Sequence, residues 1–382
     1  MKLSRTHIAS ALRKGVRKGH LWLGLLLGAV WAVQGATGAL LVFHREFDRM
    51  ALAETSASAP LSLDRLIGAA QRNAAVRAES IGIIDGSARI LTVNYTDRSG
   101  DRRSVLVDAA TGAVLKDRAW RPVSPADGNL TRWIYTLHHQ LLAGDAGAYM
   151  LGLSGLFLAI SLAWGLWLGW PRRQHWKALL NCKRWKAPGQ RLYGWHRLVG
   201  MLAAPLLVLL ALSGAGMDFS KELRYFSMSA LSYRTPYDVR SGTIPDQPIS
   251  VDLASRTAAR ALPSAGLVSV TLPSAQKPVY QVRMRQVGEW RSWSGTSVVT
   301  LNASTGVVVD IYDATKAPLA NRILESAFAV HSGEVAGMTG RLAVMMAGFA
   351  LPALYVLGVL SWLRRKRGAR LTRGVVVRCT PE

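Results

Sequence analysis

The chain has 382 residues, 50% of them hydrophobic, with a formal net charge of +24 and a pI near 10.9. Charge of that size suits a nucleic-acid binder when it lies along a soluble face; here it is gathered in blocks beside apolar runs, which excludes that reading. The only cysteines, Cys182 and Cys379, both fall in those basic blocks, so the segments between the apolar runs must stand on their own cores without disulfides.

In chain order, residues 1–19 carry six Lys/Arg and no acid and lead into an apolar run at about 21–43. Comparable runs lie at about 149–170, 198–217 and 342–363, and each is long enough at 1.5 Å per residue to cross the ~30 Å hydrocarbon layer as a helix. Membrane lipid is therefore the first expected partner. The opening run exceeds the ~7–15 residues of a signal-peptide core and has a twin at 198–217, so Ala57-Ser58-Ala59 is not read as a cleavage site and the first helix is retained. The loop 171–195 and the stretch 364–382 hold seven Lys/Arg each, with Glu382 the single acid in all three basic blocks. The positive-inside rule then places both termini and the middle loop in the cytoplasm and the long segments outside.

Those outer segments resemble each other. The first has an amphipathic stretch, LSLDRLIGAAQRNA, followed by the alternating ARILTVNYTDRSGDRRSVLVDAATGAVLKD; the second has VDLASRTAARAL followed by VYQVRMRQVGEWRSWSGTSVVTLNASTGVVVDIYD. Each reads as a helix and then a hairpin, with a strand running into Thr-Gly (Thr111-Gly112 and Thr305-Gly306), where glycine supplies the positive φ of a tight turn.

The helices repeat as well. From His20, Gly24, Gly38 and Phe43 follow at +4, +18 and +23, and from His196, Gly200, Gly214 and Phe219 keep the same offsets. From His138, Gly144, Gly147, Gly155 and Gly165 follow at +6, +9, +17 and +27; from His331, Gly337, Gly340, Gly348 and Gly358 do likewise. The copies stand 176 residues apart in the first helix, 194 at the turn and 193 in the second helix, so most of the chain is one duplication. The expected fold is a membrane protein of four transmembrane helices in two parallel pseudo-symmetric repeats, each enclosing a small periplasmic α+β domain. The boundaries are 1–46 for the N-tail and first helix, 47–137 for the first outer domain, and 138–172 for an interfacial turn and the second helix. There follow 173–195 for the basic loop, 196–218 for the third helix, 219–330 for the second outer domain, 331–364 for a turn and the fourth helix, and 365–382 for the cytoplasmic tail.

Paired histidines at two depths are what two b-type haems need, because an imidazole nitrogen binds iron axially while the other ring nitrogen is held by a hydrogen bond. Symmetry assigns an inner haem to His20 and His196 and an outer haem to His138 and His331, with His138 rather than His139 keeping the register. Gly24 and Gly200, one turn beyond their histidines, suit the close approach of a porphyrin face, or else helix packing alone. Single interfacial histidines also serve as anchors, but anchoring needs no register with glycine. A helix continuous from His138 to Trp170 would be ~50 Å long, so His138 is expected on an interfacial turn bent at Gly144 or Gly147. His44 breaks the symmetry, since Ser220 takes its place in the second copy; it replaces an outer ligand, faces the acceptor, or anchors the helix end. His7 and His175 are read as solvated. Zinc sets of cysteine or closely spaced His and Glu are not present, nor is a GxGxxG after a strand or a P-loop. Trp22, Trp31, Trp164 and Trp167 either line a path between haems or pack and sit in interfacial belts.

RKGHLWLGLLLGAVWAVQGATGALLVFHREFD, LHHQLLAGDAGAYMLGLSGL and VHSGEVAGMTGRLAV resemble the first, second and fourth helices of the PepSY-associated transmembrane family, and the Thr-Gly hairpins resemble its PepSY domains. The resemblance covers nearly the whole chain. It implies a bacterial inner-membrane protein, tied to iron acquisition, that passes electrons through haem; the length and two-copy arrangement are similar to those of siderophore-reducing members. The expectation is a di-haem reductase that takes electrons from a separate donor, quinol or a cytoplasmic reductase, and reduces a ferric siderophore in the periplasm. Arg102, Arg103, Arg283, Arg285 and Trp290 are candidate contacts to that substrate, or ordinary strand faces. The competing readings are a non-enzymatic PepSY scaffold that binds peptide or a partner protein, and a siderophore transporter; the few charges inside the helices argue against the latter.

Overall fold

The structure, a computed structural model, describes residues 2–50, 59–74, 77–83, 89–120, 124–125, 130–171, 176–182, 185–230, 232–235, 247–275 and 277–377. Ala57, Ser58, His175 and Cys379 lie outside the described residues. In chain order the elements are α1 (Lys2–Leu26), α2 (Gly28–Leu41), α3 (His44–Met50), α4 (Leu63–Ala74), β1 (Ala78–Ile83), β2 (Ile90–Thr96), β3 (Arg102–Asp108), β4 (Val114–Ala119), α5 (Leu130–Gln140) and α6 (Gly144–Gly169). There follow α7 (Trp176–Leu180), α8 (Pro188–Asp218), α9 (Ser220–Ala230), α10 (Val251–Ala261), β5 (Gly266–Thr271), β6 (Val279–Arg285), β7 (Ser297–Asn302), β8 (Val308–Tyr312), α11 (Leu319–His331) and α12 (Gly337–Val377). They divide into a helical unit (Met1–Val42, His138–Asp218, Met338–Glu382) and a sheet unit (Phe43–Leu137, Phe219–Gly337).

Among the described residues, three helices are long and apolar enough to cross a membrane: α6, α8 and the apolar part of α12, with mean hydropathies of 1.8, 2.3 and 2.1. The number rises to four if α1 and α2, bent by 63° at Leu27, make one broken span. The helices pack through small residues, as expected where lipid offers no hydrophobic drive to association. A Cβ on Gly35 would lie 2.4 Å from the Gly348 carbonyl, so α2 and α12 meet backbone to backbone. On the other side of the repeat, a Cβ on Gly155 would lie 3.2 Å from the Ala211 carbonyl, joining α6 to α8. Gly35 and Ala211 are 176 apart and Gly155 and Gly348 are 193 apart, so the two crossings are copies of one contact. Trp31, Leu158, Leu162, Ala204, Leu207, Ala211, Ala347, Leu351 and Leu354 form the buried centre.

The sheet unit differs from two domains with separate cores. Its strands form one antiparallel sheet in the order β4-β3-β2-β1-β5-β6-β7-β8, sealed where Ser80, Ile81 and Gly82 of β1 pair with Thr271, Val270 and Ser269 of β5. A four-stranded meander with one helix leaves an unpaired edge and buries little; pairing edge to edge removes that edge and merges the cores. Gly82 permits the seam, since a Cβ there would stand 3.1 Å from the Ser269 Cβ. Leu66, Ile67 and Ala70 of α4 and Ala254 and Ala258 of α10 pack with Ile81, Val93, Val105, Val270, Val282, Val299 and Leu301 in a single core. The helices also cap one another. The Asp64 carboxylate accepts from the backbone N–H of Val251 and Asp252 (3.0 and 3.1 Å), and the Asp252 carboxylate accepts from Leu63 and Asp64 (2.9 and 3.2 Å). The Thr-Gly turns are as expected: Gly112 has φ +73° and Gly306 φ +71°, with Asp108 and Asn302 closing matching Asx turns.

Candidate bis-histidine site in the helical unit

His20 on α1 and His196 on α8 face each other with ring centres 6.3 Å apart and planes at 67°. Each is held through the same nitrogen. His20 Nδ1 lies 2.9 Å from the Ser161 carbonyl and 3.1 Å from its hydroxyl, and His196 Nδ1 lies 3.0 Å from the Leu354 carbonyl. A carbonyl can only accept, so in the neutral ring the proton sits on Nδ1 and the Nε2 lone pair is left for a metal. Ser161 and Leu354 stand 193 apart, each four residues before a glycine, Gly165 and Gly358. A Cβ on Gly165 would come within 3.0 Å of His20 Cε1, and one on Gly358 within 3.5 Å of His196 Cε1. The imidazoles therefore fill the room those glycines leave.

The spacing fits a haem. A metal held at ~2 Å by one nitrogen of each ring puts the ring centres about 6 Å apart. Among the described residues no three His, Cys, Asp or Glu side chains converge as a metal site; a haem, which brings four nitrogens of its own, needs only two protein ligands.

The glycines singled out beside these histidines have other surroundings. Among the described residues, a Cβ on Gly24 would meet no atom within 4 Å, and one on Gly200 only Leu354 Cδ2 at 3.7 Å. Neither is demanded by helix contact. Gly165 and Gly358, which the imidazoles do demand, were visible at +27 in the repeat, but nothing in the sequence said which ring they face.

His138 lies within α5, not on a turn; the turn comes after it, through Leu141 (φ +48°), Leu142 (φ +59°) and Gly144 (φ +62°). A Cβ on Gly147 would fall 1.8 Å from the Gln140 carbonyl, so the two helices meet there too closely for any side chain. His138 Nδ1 is 3.0 Å from Thr37 Oγ1, and a Cβ on Gly38 would lie 2.8 Å from His138 Cε1. His139 turns instead to Asp218, at 3.5 Å.

In the sheet unit, His331 ends α11, ahead of Gly333 (φ +78°) and Gly337 (φ +59°). His44 opens α3 with its ring edge-on to Trp293, centres 6.3 Å apart. Beside it, the Arg45 guanidinium lies 4.5 Å from the Trp293 ring centre. Glu334 accepts from Arg45 (3.1 Å), Trp293 Nε1 (2.6 Å) and Ser292 Oγ (3.2 Å).

The five candidate substrate contacts do not form one site. Arg102 and Arg103 are on β3 and Arg283 and Arg285 on β6, four strand spacings apart, roughly 19 Å at ~4.8 Å per strand. Arg103 is tied to Asp117 (3.2 Å) and Tyr95, and Arg285 to the Ser292 carbonyl; Trp290 is exposed. Of the tryptophans, Trp31 donates to Ser154 Oγ at 2.9 Å and Trp167 is exposed. Trp22 and Trp164 line an apolar groove of about 380 Å³ between α1 and α6 with Gly19, Leu23, Leu26, Phe157 and Ile160.

Apolar spans around a half-buried histidine pair, joined in one chain to an antiparallel sheet, define a class: a membrane protein with a duplicated helical unit. The chain belongs to the PepSY-associated transmembrane family, whose model, described as "PepSY-associated TM region", matches residues 17–365. No curated protein sequence matches it.

Proposed function

We propose that the protein is a haem-dependent oxidoreductase of the bacterial cytoplasmic membrane that delivers electrons to a ferric siderophore in the periplasm. The observation that carries this reading is the pair His20 and His196, 6.3 Å apart and each fixed through Nδ1 to a carbonyl at the matching place in its own copy. Haem bound there would supply a one-electron carrier. The chain's own contribution is to hold each ring in the Nδ1–H tautomer, to clear space for it at Gly165 and Gly358, and to keep water out with the packed centre around Leu158, Leu207 and Leu354. Anchoring at a membrane interface would need none of this.

A second haem on His138 and His331 rests on the register of the sequence, supported by the same use of Nδ1 at His138. His44, turned to Trp293 within its own unit, is read as holding structure rather than replacing a ligand. Four crossings follow if α1 and α2 are one broken span, with both termini cytoplasmic and PepSY-like folds in the sheet unit. The acceptor comes from resemblance alone, to the ferrioxamine reductase FoxB. Each electron converts one ferric ion to ferrous, which hard oxygen ligands hold less well; the donor is quinol or a cytoplasmic reductase.

An absorption spectrum of the detergent-purified protein tests this. The expected result is a reducible haem signal at about two haems per chain, with one lost in both His20→Ala and His196→Ala and the other lost in both His138→Ala and His331→Ala. A protein with no reducible haem would overturn it.

A further inference from the structure

His20, His196 and His138 do not all present Nδ1 to the same kind of acceptor. His20 and His196 give Nδ1–H to backbone carbonyls, which no substitution removes, with the Ser161 hydroxyl also 3.1 Å from His20 Nδ1, whereas the acceptor at His138 is a side-chain hydroxyl, Thr37 Oγ1, 3.0 Å away. That hydroxyl has one proton, and it is committed: Thr37 Oγ1 lies 2.7 Å from the Val33 carbonyl and 3.1 Å from that of Gln34, in its own helix. Toward His138 it can therefore only accept, which puts the ring proton on Nδ1. Thr37 is buried, so solvent does not compete for the bond, and the next residue, Gly38, is the one whose missing side chain admits the ring. The duplication keeps the hydroxyl's bonds to its own helix. Ser213 and Gly214 stand 176 residues after Thr37 and Gly38, and Ser213 Oγ makes the same bonds, to the Leu209 carbonyl at 2.8 Å and the Leu210 carbonyl at 3.1 Å.

We infer that Thr37 is a positioning residue that sets the reduction potential of the centre bound by His138. A ligand imidazole that donates its far N–H gains electron density at the metal-bound nitrogen and favours ferric over ferrous iron; taking the acceptor away reverses that preference. The inference rests on the haem reading above.

Its test is a potentiometric titration of the full-length protein, following the haem spectrum in the starting chain and in Thr37→Val, Thr37→Ser and His138→Ala. In Thr37→Val the step that His138→Ala eliminates is expected to move to higher potential while the other step stays in place, and Thr37→Ser restores the original value. Loss of that haem in Thr37→Val with full retention in Thr37→Ser also supports the role, because Val keeps the shape of Thr without the hydroxyl and Ser keeps the hydroxyl without the methyl. A Thr37→Val protein whose two steps both stay in place, or whose shifted step is the one lost in His20→Ala, overturns the inference and leaves the haem reading intact. Absence of haem from the starting chain overturns both.

Discussion

Gly165→Ala isolates the site from the fold. An added Cβ would stand 3.0 Å from His20 Cε1, against 3.4–4 Å for ordinary contact, so the ring must shift by roughly half an ångström. It cannot do so freely, because Nδ1 is held 2.9 Å from the Ser161 carbonyl. Overpacking of this kind costs about 1–3 kcal/mol, and at 1.4 kcal/mol per factor of ten that is roughly a 5- to 150-fold weaker hold on a ligand that needs the ring in place. The helix itself gains, since alanine is better than glycine in a helix interior by about 1 kcal/mol. Set against that overpacking cost, the gain leaves the fold no more than about 0–2 kcal/mol less stable than the parent, while haem affinity falls. Gly358→Ala is the internal control: its Cβ would sit 3.5 Å from His196 Cε1, an ordinary contact, and the loss should stay under about threefold, less than 0.7 kcal/mol. Haem retention under competition from a soluble haem-binding protein, measured beside thermal unfolding, gives both quantities. Equal losses in the two variants, or no loss in Gly165→Ala, would refute the argument that His20 occupies the space of the missing side chain.

Two further predictions concern the sheet unit. Burial, and then the neighbouring Asp252, raise the Asp64 carboxyl above the usual carboxylate range. Burial pushes Asp252 the same way, but hydrogen bonds from the Asp64 carboxyl and from the Leu63 and Asp64 N–H groups outweigh it and hold Asp252 below that range. A raised carboxyl contributes stability while protonated and loses it as pH rises through its folded pKa; a lowered one loses its contribution as pH falls through its own. Asp64→Asn, which keeps the protonated shape, should gain in unfolding midpoint relative to the parent as pH goes from about 4 to 7, and a gap that narrows over that range would contradict the pairing. Glu334→Ala removes the common acceptor of Arg45, Trp293 and Ser292, with the Glu334 and Arg45 side chains only 4% and 18% exposed. A loss of about 3 kcal/mol in denaturant unfolding is expected, with a clearly smaller loss in Glu334→Gln.

Features set by a few adjacent residues are legible in the sequence. The apolar spans, the amphipathic faces of α4 and α10 and the positive φ at Gly112 and Gly306 are properties of a few adjacent residues, and each is found. β1 and β5 are not legible there, because each is six residues long and draws its stability from the other, about 190 positions away. The same non-local pairing fuses the expected two cores into one. It also defeats the grouping of Arg102 and Arg103 with Arg283 and Arg285: likeness along the chain put them together, and the strand order sets them apart. At the site, the register found the histidines but not their acceptors. Two of those acceptors are backbone carbonyls, which leave no mark in an amino-acid sequence beyond the glycine one turn later.

The two copies keep the symmetry at the rings while differing in how the first helix reaches its partners. In the first copy the chain bends by 63° at Leu27, so that α1 meets α6 at His20 and α2 meets α12 at Gly35. In the second copy α8 runs through without a break, with Pro205 inside it, and meets α12 at His196 and α6 at Ala211. A sharp bend and a continuous helix thus end at the same two contacts, each with its 176- or 193-residue counterpart. If packing alone had kept the copies alike, the helix shape would be the conserved quantity and the ring contacts would follow it. The reverse holds: the helix shapes diverge and the N–H to carbonyl bonds, with the glycine one turn beyond, coincide. What the duplication has kept is the hold on two facing imidazole rings, each fixed at Nδ1 by a carbonyl of its own copy.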